Sequence, residues 1–271
     1  MTTRNMVLAI LAEEAGAEAV LRHAASAVAA LPDGFVSALH VRVDPISTIM
    51  PTEEVLSDEQ ARAIERAGER EGAALLAVFE GWRAQAGVPA EWKDVVGTVD
   101  GQVRNHAKDA ALLVTVNAGP DARGHGRTAL HTALFDTGRP VLAVPADHAA
   151  RAVRRIVVGW KDSAVSRSAV QAALPWLQRA GDVQVVHVGD DAGALAAAEQ
   201  LLSSLGVKAT LQAVPENGLT DGERLLAEIA RLGADWLVMG AYRRRRIVEW
   251  MLGGVTRTVL GKSPMPLFVV H

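Results

Sequence analysis

The sequence predicts an α/β protein of two tandem units, each a doubly wound parallel sheet covered by helices on both faces. Three observations predict it. The first is an internal repeat: TGRPVLAVP (137–145) resembles KSPMPLFVV (262–270), each a small turn, a proline and an apolar strand. Upstream of each lies a second apolar run, AALLVTV (110–116) and ADWLVMG (234–240), and each half opens on a third, MVLAIL (6–11) and RIVVGW (155–160). The order of elements thus recurs at an offset of about 125 residues. The second observation is that these runs are nearly continuous in Val, Ile and Leu instead of alternating, which marks strands buried on both faces of a parallel sheet. The third is that they alternate with amphipathic helical stretches, as βα units require.

In the second half the strand at 155–160 is followed by a helix at 164–179, with Ser163 and Ser166 as candidate N-caps. Then come a strand at 183–189, an Ala/Leu-rich helix at 191–204 and a strand at 207–214. After the loop PENGLTDG (215–222), a helix at 221–232 opens with Thr220 or Asp221 as cap. A strand at 235–240, a helix at 247–261 and a strand at 266–270 close the chain, giving five strands. The first half follows the same plan with one enlargement, a long helix over 57–87. Ser57 is placed to cap it, with Gln60 in the capping-box position. This helix is charged early and apolar later, so its N-terminal part is expected to project into solvent. The linker is ADHAARAVRR (146–155), and the domains are 1–147 and 152–271.

Composition excludes several classes. Apolar residues make up 49% and charged residues 22%, which supports packed cores and argues against disorder. There are no cysteines, so disulfides and thiolate metal sites are excluded, in agreement with a reducing compartment. No apolar run approaches the roughly 18 residues that span a bilayer. The short apolar core near the N-terminus leads into acidic residues, unlike a signal peptide, so the expected location is cytoplasmic. The eight histidines show no metal spacing. An acidic total with 4% aromatics disfavours nucleic acid. No GxxxxGK[ST], GxGxxG after a strand or GxSxG is present, and no catalytic acid–base pair stands out, so an enzyme is not expected. The net charge of −3 is uneven: residues 1–150 hold 13 Lys+Arg against 20 Asp+Glu, and residues 151–271 hold 15 against 11. The basic half is the one better suited to an anionic ligand.

In doubly wound sheets ligands bind beyond the C-terminal strand ends. In the second half these are GWKDS (159–163), HVGDD (187–191), PENGLTDG and GAYRRRR (240–246). Gly240 ends a buried strand, and Gly253 and Gly254 open a helix reading VTRTVL. A helix N-terminus with bare glycine amides is a good anion site. The last 33 residues resemble the signature of the universal stress protein family: Gly, two residues, Gly, nine residues, Gly, then Ser or Thr, with a Val-Thr pair and a proline-led final strand. Gly240 and Gly253 match the first and third glycines, and Val255 and Thr256 match the pair. The resemblance covers the chain as two tandem domains and is strong for 154–271.

The resemblance implies a strand order of 3-2-1-4-5 in each Rossmann-like domain. It also implies antiparallel pairing of the two last strands, 140–145 with 266–270, across a pseudo-twofold axis; proline at Leu142 or Phe268 is expected to weaken that contact. An intramolecular pseudo-dimer of this kind leaves a further homodimer open. It implies too a stress-response protein binding ATP or a related nucleotide in the second domain. The nucleotide would lie against Gly240, Gly253, Gly254 and Val255, with Gly159 and Lys161 near the base or ribose. Trp160, Val188, Met239, Arg243 and Thr256 complete the candidate set.

The chain also departs from the pattern. Arg243 stands at the second glycine, Gly254 at the Ser/Thr position, and Lys161, beside Asp162, where ATP-binding members usually carry aspartate. Simpler readings stand beside the sharp ones. Gly240 and Gly253 would equally serve close strand–helix packing, Arg243 to Arg246 a solvated surface, and Lys161 an exposed strand end. Trp160, Trp236 and Trp250 suit a core or interface. The first half is further eroded: Val116 replaces its first glycine, and LAEEAG would repel phosphates, so it is read as a non-binder. The alternative function is a scaffold that binds no nucleotide and acts through protein partners.

Overall fold

The computed structural model describes residues 5–44, 57–119, 122–241 and 254–271. The first half runs β1 (Met6–Ile10), α1 (Ala17–Val28), β2 (Phe35–Val43), α2 (Asp58–Ala86), β3 (Ala90–Gly97), α3 (Val99–Ala107), β4 (Ala110–Val116), α4 (His125–Asp136) and β5 (Val141–Val144). The second runs β6 (Arg155–Gly159), α5 (Ala164–Ala172), α6 (Leu174–Leu177), β7 (Asp182–Val188), α7 (Ala192–Ser204), β8 (Thr210–Val214), α8 (Asp221–Leu232), β9 (Trp236–Gly240), α9 (Gly254–Lys262) and β10 (Leu267–Val270).

Among the described residues all ten strands form one sheet, in the order β3-β2-β1-β4-β5-β10-β9-β6-β7-β8. Each half therefore has the 3-2-1-4-5 order, with parallel pairing throughout. The halves join where β5 and β10 pair antiparallel, with Leu267 opposite Ala143, Phe268 opposite Leu142 and Val269 opposite Val141. One face of the sheet is packed by α1, α2 and α5 to α7, the other by α3, α4, α8 and α9. The same face is thus kept across the seam, so the pseudo-twofold axis stands normal to the sheet. The central strands are buried on both sides, which is why their sequences show no alternation.

Local signals explain most element ends. The Ser57 hydroxyl accepts from the Gln60 amide, and the Gln60 side chain accepts from the Ser57 amide, closing a capping box. Thr220 and Glu223 do the same for α8. Asp191 caps α7 and Ser163 caps α5. The helix expected over 164–179 breaks at Ala173, because Pro175 has no amide hydrogen to donate and starts a short second helix. The strand expected from 207 starts at Thr210. Of the helix expected over 247–261, the part before Gly254 lies outside the described residues. The outer half of α2 is mostly exposed, yet Ala61, Ile64 and Gly68 stay half-buried, so one stripe of it follows the sheet rather than leaving it.

A polar clasp ties α1 to the second half. The Trp176 indole donates to the Ala27 carbonyl at 3.0 Å, and Arg179 donates to the Ala29 carbonyl. His23, on α1, meets His148 of the linker, Nε2 to Nδ1, at 3.1 Å. Burial, then the neighbouring His148, lower the His23 pKa to about 4. His148 is also lowered, by burial and by Arg151, against the opposing pull of Asp147 and Asp235. The fold holds these imidazoles neutral, while the unfolded chain protonates them near pH 6.5. Their stabilisation is therefore complete above about pH 6.5 and is lost as pH falls toward 4. For His23 alone the expected loss between pH 7 and pH 5 is about 2 kcal/mol. Urea titrations across that window check it, and His23→Gln should flatten the slope.

Candidate functional site

The two halves correspond strand by strand, so the second site can be compared with its counterpart in the first. The Leu11 amide bonds the Leu39 carbonyl as the Trp160 amide bonds that of Val186. The Asn117 amide bonds Val144 as the Ala241 amide bonds Val270. Ile10 thus corresponds to Gly159, Leu11 to Trp160, Glu13 to Asp162, His40 to His187 and Val116 to Gly240.

In the second half the C-terminal ends of β6, β7 and β9 and the first turns of α5, α8 and α9 enclose a cleft of about 770 Å³, counting its open mouth. Nine of the eleven residues expected from sequence line it: Gly159, Trp160, Lys161, Val188, Met239, Gly240, Gly254, Val255 and Thr256. Arg243 and Gly253 lie outside the described residues, as do Arg246 and Trp250. At Gly159 a Cβ would sit 3.0 Å from Leu225 and 3.4 Å from Leu237, so the glycine lets these two side chains close in. The first half fills the same position with Ile10.

Each lining group has a definable role. Trp160 is only 4% exposed, and its indole donates to the Ala194 carbonyl at 2.8 Å, so it is a fixed wall. Lys161 is exposed at the rim. Asp162 is ion-paired with Arg167 and is not among the lining residues. Gly254 opens α9, and among the described residues a Cβ there would meet nothing within 4 Å. An amide-rich helix start facing open space can accept an anion. Trp236 is buried against Phe268, ring centroids 6.3 Å apart, and belongs to the core.

Gly240 also has a packing role. A Cβ on it would lie 2.8 Å from the Val165 carbonyl carbon and 2.9 Å from the Ser166 amide nitrogen. At the corresponding contact in the first half the partners are reversed: Val116 packs on Gly16, whose added Cβ would meet Val116 Cγ2 at 2.4 Å. The end of the fourth strand and the start of the first helix approach too closely for two side chains. Each half solves this with one glycine, on opposite sides of the contact.

In the first half the Glu13 carboxylate accepts from the Gly126 amide at 3.1 Å, in the first turn of α4. The acidic segment thus does more than repel phosphate, since its own anion is bonded to the helix start. Sequence reasoning missed Ser166, Val186, His187, Asp221 and Leu225 as lining residues. His187 had a signal, because the His-Val pair of ALHVRV recurs in VVHVGD.

Among the described residues no group of three or more His, Cys, Asp or Glu is placed to hold a metal ion, and no helix is long and apolar enough to cross a membrane.

Residues 152–271 match the model of the universal stress protein family. This half of the chain is a universal stress protein domain. A universal stress protein from Archaeoglobus fulgidus matches over 98% of this chain and 96% of its own, with 18% identity and a TM-score of 0.70. A functionally unknown protein from Pseudomonas aeruginosa matches over 98% and 92%, with 13% identity and a TM-score of 0.61. The cytoplasmic domain of a prokaryotic cation chloride cotransporter matches over 98% and 95%, with 13% identity and a TM-score of 0.53. These likenesses span both halves and show that the first shares the fold of the universal stress protein domain. None of the curated proteins matches the sequence.

Proposed function

We propose that the chain is a stress-response protein whose second domain binds ATP or a related nucleotide, and that it is not an enzyme. One observation carries the reading. The strand ends at Gly159–Lys161, Val188 and Met239–Gly240 face the first turn of α9 at Gly254–Thr256 across a single cleft. Its helix start offers amides to phosphate, and its apolar walls suit a base. The basic balance of this half favours the same class of ligand. The first domain, whose helix start already holds Glu13, would take none.

The test is calorimetric titration of the full chain with ATP, together with chromatography of small molecules released on denaturation. Gly254→Ser adds a hydroxyl where a side chain finds open space, and should tighten ATP by roughly tenfold through one charge-assisted hydrogen bond. Gly254→Trp should abolish binding by filling the cleft. If wild type and Gly254→Ser both give no heat at millimolar ATP and release no nucleotide, the reading fails. A scaffold acting through protein partners then takes its place.

A further inference from the structure

We propose that the Asp221 carboxylate receives the sugar hydroxyls of the bound nucleotide, so that the second domain selects ribonucleotides over nucleotides whose sugar lacks them. This rests on the nucleotide reading of the cleft. The two halves differ at this position. Thr98 caps α3 by accepting from the Gly101 amide, and Thr220 caps α8 by accepting from the Glu223 amide, so the residues that follow the caps correspond. In the first half that residue is Val99, buried in the core. In the second it is Asp221, half-buried and lining the cleft. A half-buried carboxylate where the repeat has a valine carries a desolvation cost unless a partner meets it. Helix capping does not explain it, because Thr220 already caps α8.

The protein itself supplies no such partner. Among the described residues the Asp221 carboxylate makes no hydrogen bond and no ion pair. The other acids of α8 are engaged, Glu223 with Lys262 and Glu228 with Arg231. Lys161, the cation lining the same cleft, is not ion-paired with Asp221 either.

Position decides which part of the ligand it meets. Gly222 lets the start of α8 close on α9, since a Cβ there would lie 2.8 Å from Thr258 Cβ. Leu225, one turn beyond Asp221 on the same helix face, is the side chain that packs against Gly159 at the end of β6. Asp221 therefore stands near the end of β6, beside the first turns of α9. In the sheet β6 is the neighbour of β9, which leads to the anion-accepting start of α9. One strand spacing, about 5 Å, separates the two, and the group one step from a nucleotide's phosphates is its sugar. An ionised carboxylate accepts hydrogen bonds and donates none. It repels phosphate, but its two oxygens suit the two neighbouring hydroxyls of a ribose, each giving one proton to one oxygen. An analogue without those hydroxyls leaves the carboxylate unpaired and is rejected.

ATP and dideoxy-ATP isolate this contact, since the second lacks both ribose hydroxyls and keeps the base and the phosphates. Calorimetric titration of the full wild-type chain at one fixed magnesium concentration should show ATP bound about tenfold tighter or more. Asp221→Ala removes the acceptor and leaves Thr220 to cap α8. It should melt close to the wild type, bind dideoxy-ATP at least as tightly as the wild type does, and bring the ratio of the two affinities to within about threefold of one. Equal binding of the two nucleotides by the wild type would overturn the assignment while leaving nucleotide binding intact. So would an equal loss of both in Asp221→Ala, which would place the carboxylate on a cation held by the phosphates. No binding of either by the wild type at millimolar concentration would overturn the nucleotide reading and this assignment with it.

Discussion

Ala143→Pro should lower the melting temperature by roughly 10 °C, from a loss of about 3 kcal/mol or more. The reason lies in the ladder at the seam. The Leu113 amide bonds the Pro140 carbonyl and the Asn117 amide bonds Val144, so on β5 residues 140, 142 and 144 face β4. The Leu237 amide bonds Pro266 and the Ala241 amide bonds Val270, so on β10 residues 266, 268 and 270 face β9. The alternation leaves Val141, Ala143, Leu267 and Val269 to hydrogen-bond across the seam. Phe268 and Leu142 meet there as a non-bonded pair, side chain to side chain. Proline at Ala143 or Leu267 therefore removes a bond between the halves. Proline at Leu142 or Phe268 removes a bond within one half, and weakens the seam only through lost packing. All four positions are buried, so each variant should destabilise. The discriminating readout is limited proteolysis of the linker: cutting between 145 and 154 should accelerate more in Ala143→Pro than in Leu142→Pro. Equal rates, with wild-type melting in Ala143→Pro, would refute the bonded seam.

Gly240→Val should cost about 2 to 3 kcal/mol, because its first side-chain carbon would enter the backbone at Val165 and Ser166, which cannot rotate away. Val165→Gly alone should cost about 1 kcal/mol, the usual penalty of glycine in a helix. The double variant removes the side-chain part of that clash, the Val165 Cγ1 atom 2.8 Å from the added carbon, and leaves the backbone part. It should recover part of the loss, with a coupling of about 1 kcal/mol or more. Denaturant titrations of the four proteins measure that coupling. Strict additivity would mean that the Val165 side chain carries none of the cost, and a wild-type stability in Gly240→Val would mean that the contact does not require the glycine. The result bears on function too, because a glycine demanded by packing is no evidence for a phosphate.

Much of the architecture was legible in the sequence because it depends on local chemistry. Continuous Val and Ile runs announced strands buried on both faces, Ser57 with Gln60 and the candidate caps Thr220 or Asp221 announced helix starts, and the repeat of TGRPVLAVP in KSPMPLFVV announced two copies. Strand order and the antiparallel joining of the halves followed from resemblance, and the sheet has both. The break at Ala173 was readable from Pro175 but was absorbed into a longer apolar pattern. Nine candidate positions line one cleft because the C-terminal ends of parallel strands converge by topology.

What the chain order could not settle was decided in three dimensions. Whether a glycine serves a ligand or a neighbour depends on what stands opposite it. Gly240 faces backbone 75 positions away, at Val165, and Gly254 meets nothing among the described residues. Glu13 bonds an amide 113 residues later, at Gly126, a meeting no local pattern encodes. His40 and His187 share a His-Val pair and a bond to the strand before them, yet α2 and Trp92 pack over one while the other is among the residues lining the cleft. The sequence by itself determined which elements form and in which order they repeat, because hydrophobic period and capping act over a few residues. Only the tertiary structure decided which of two similar sites stays open, because that depends on steric and polar contacts between segments far apart in the chain.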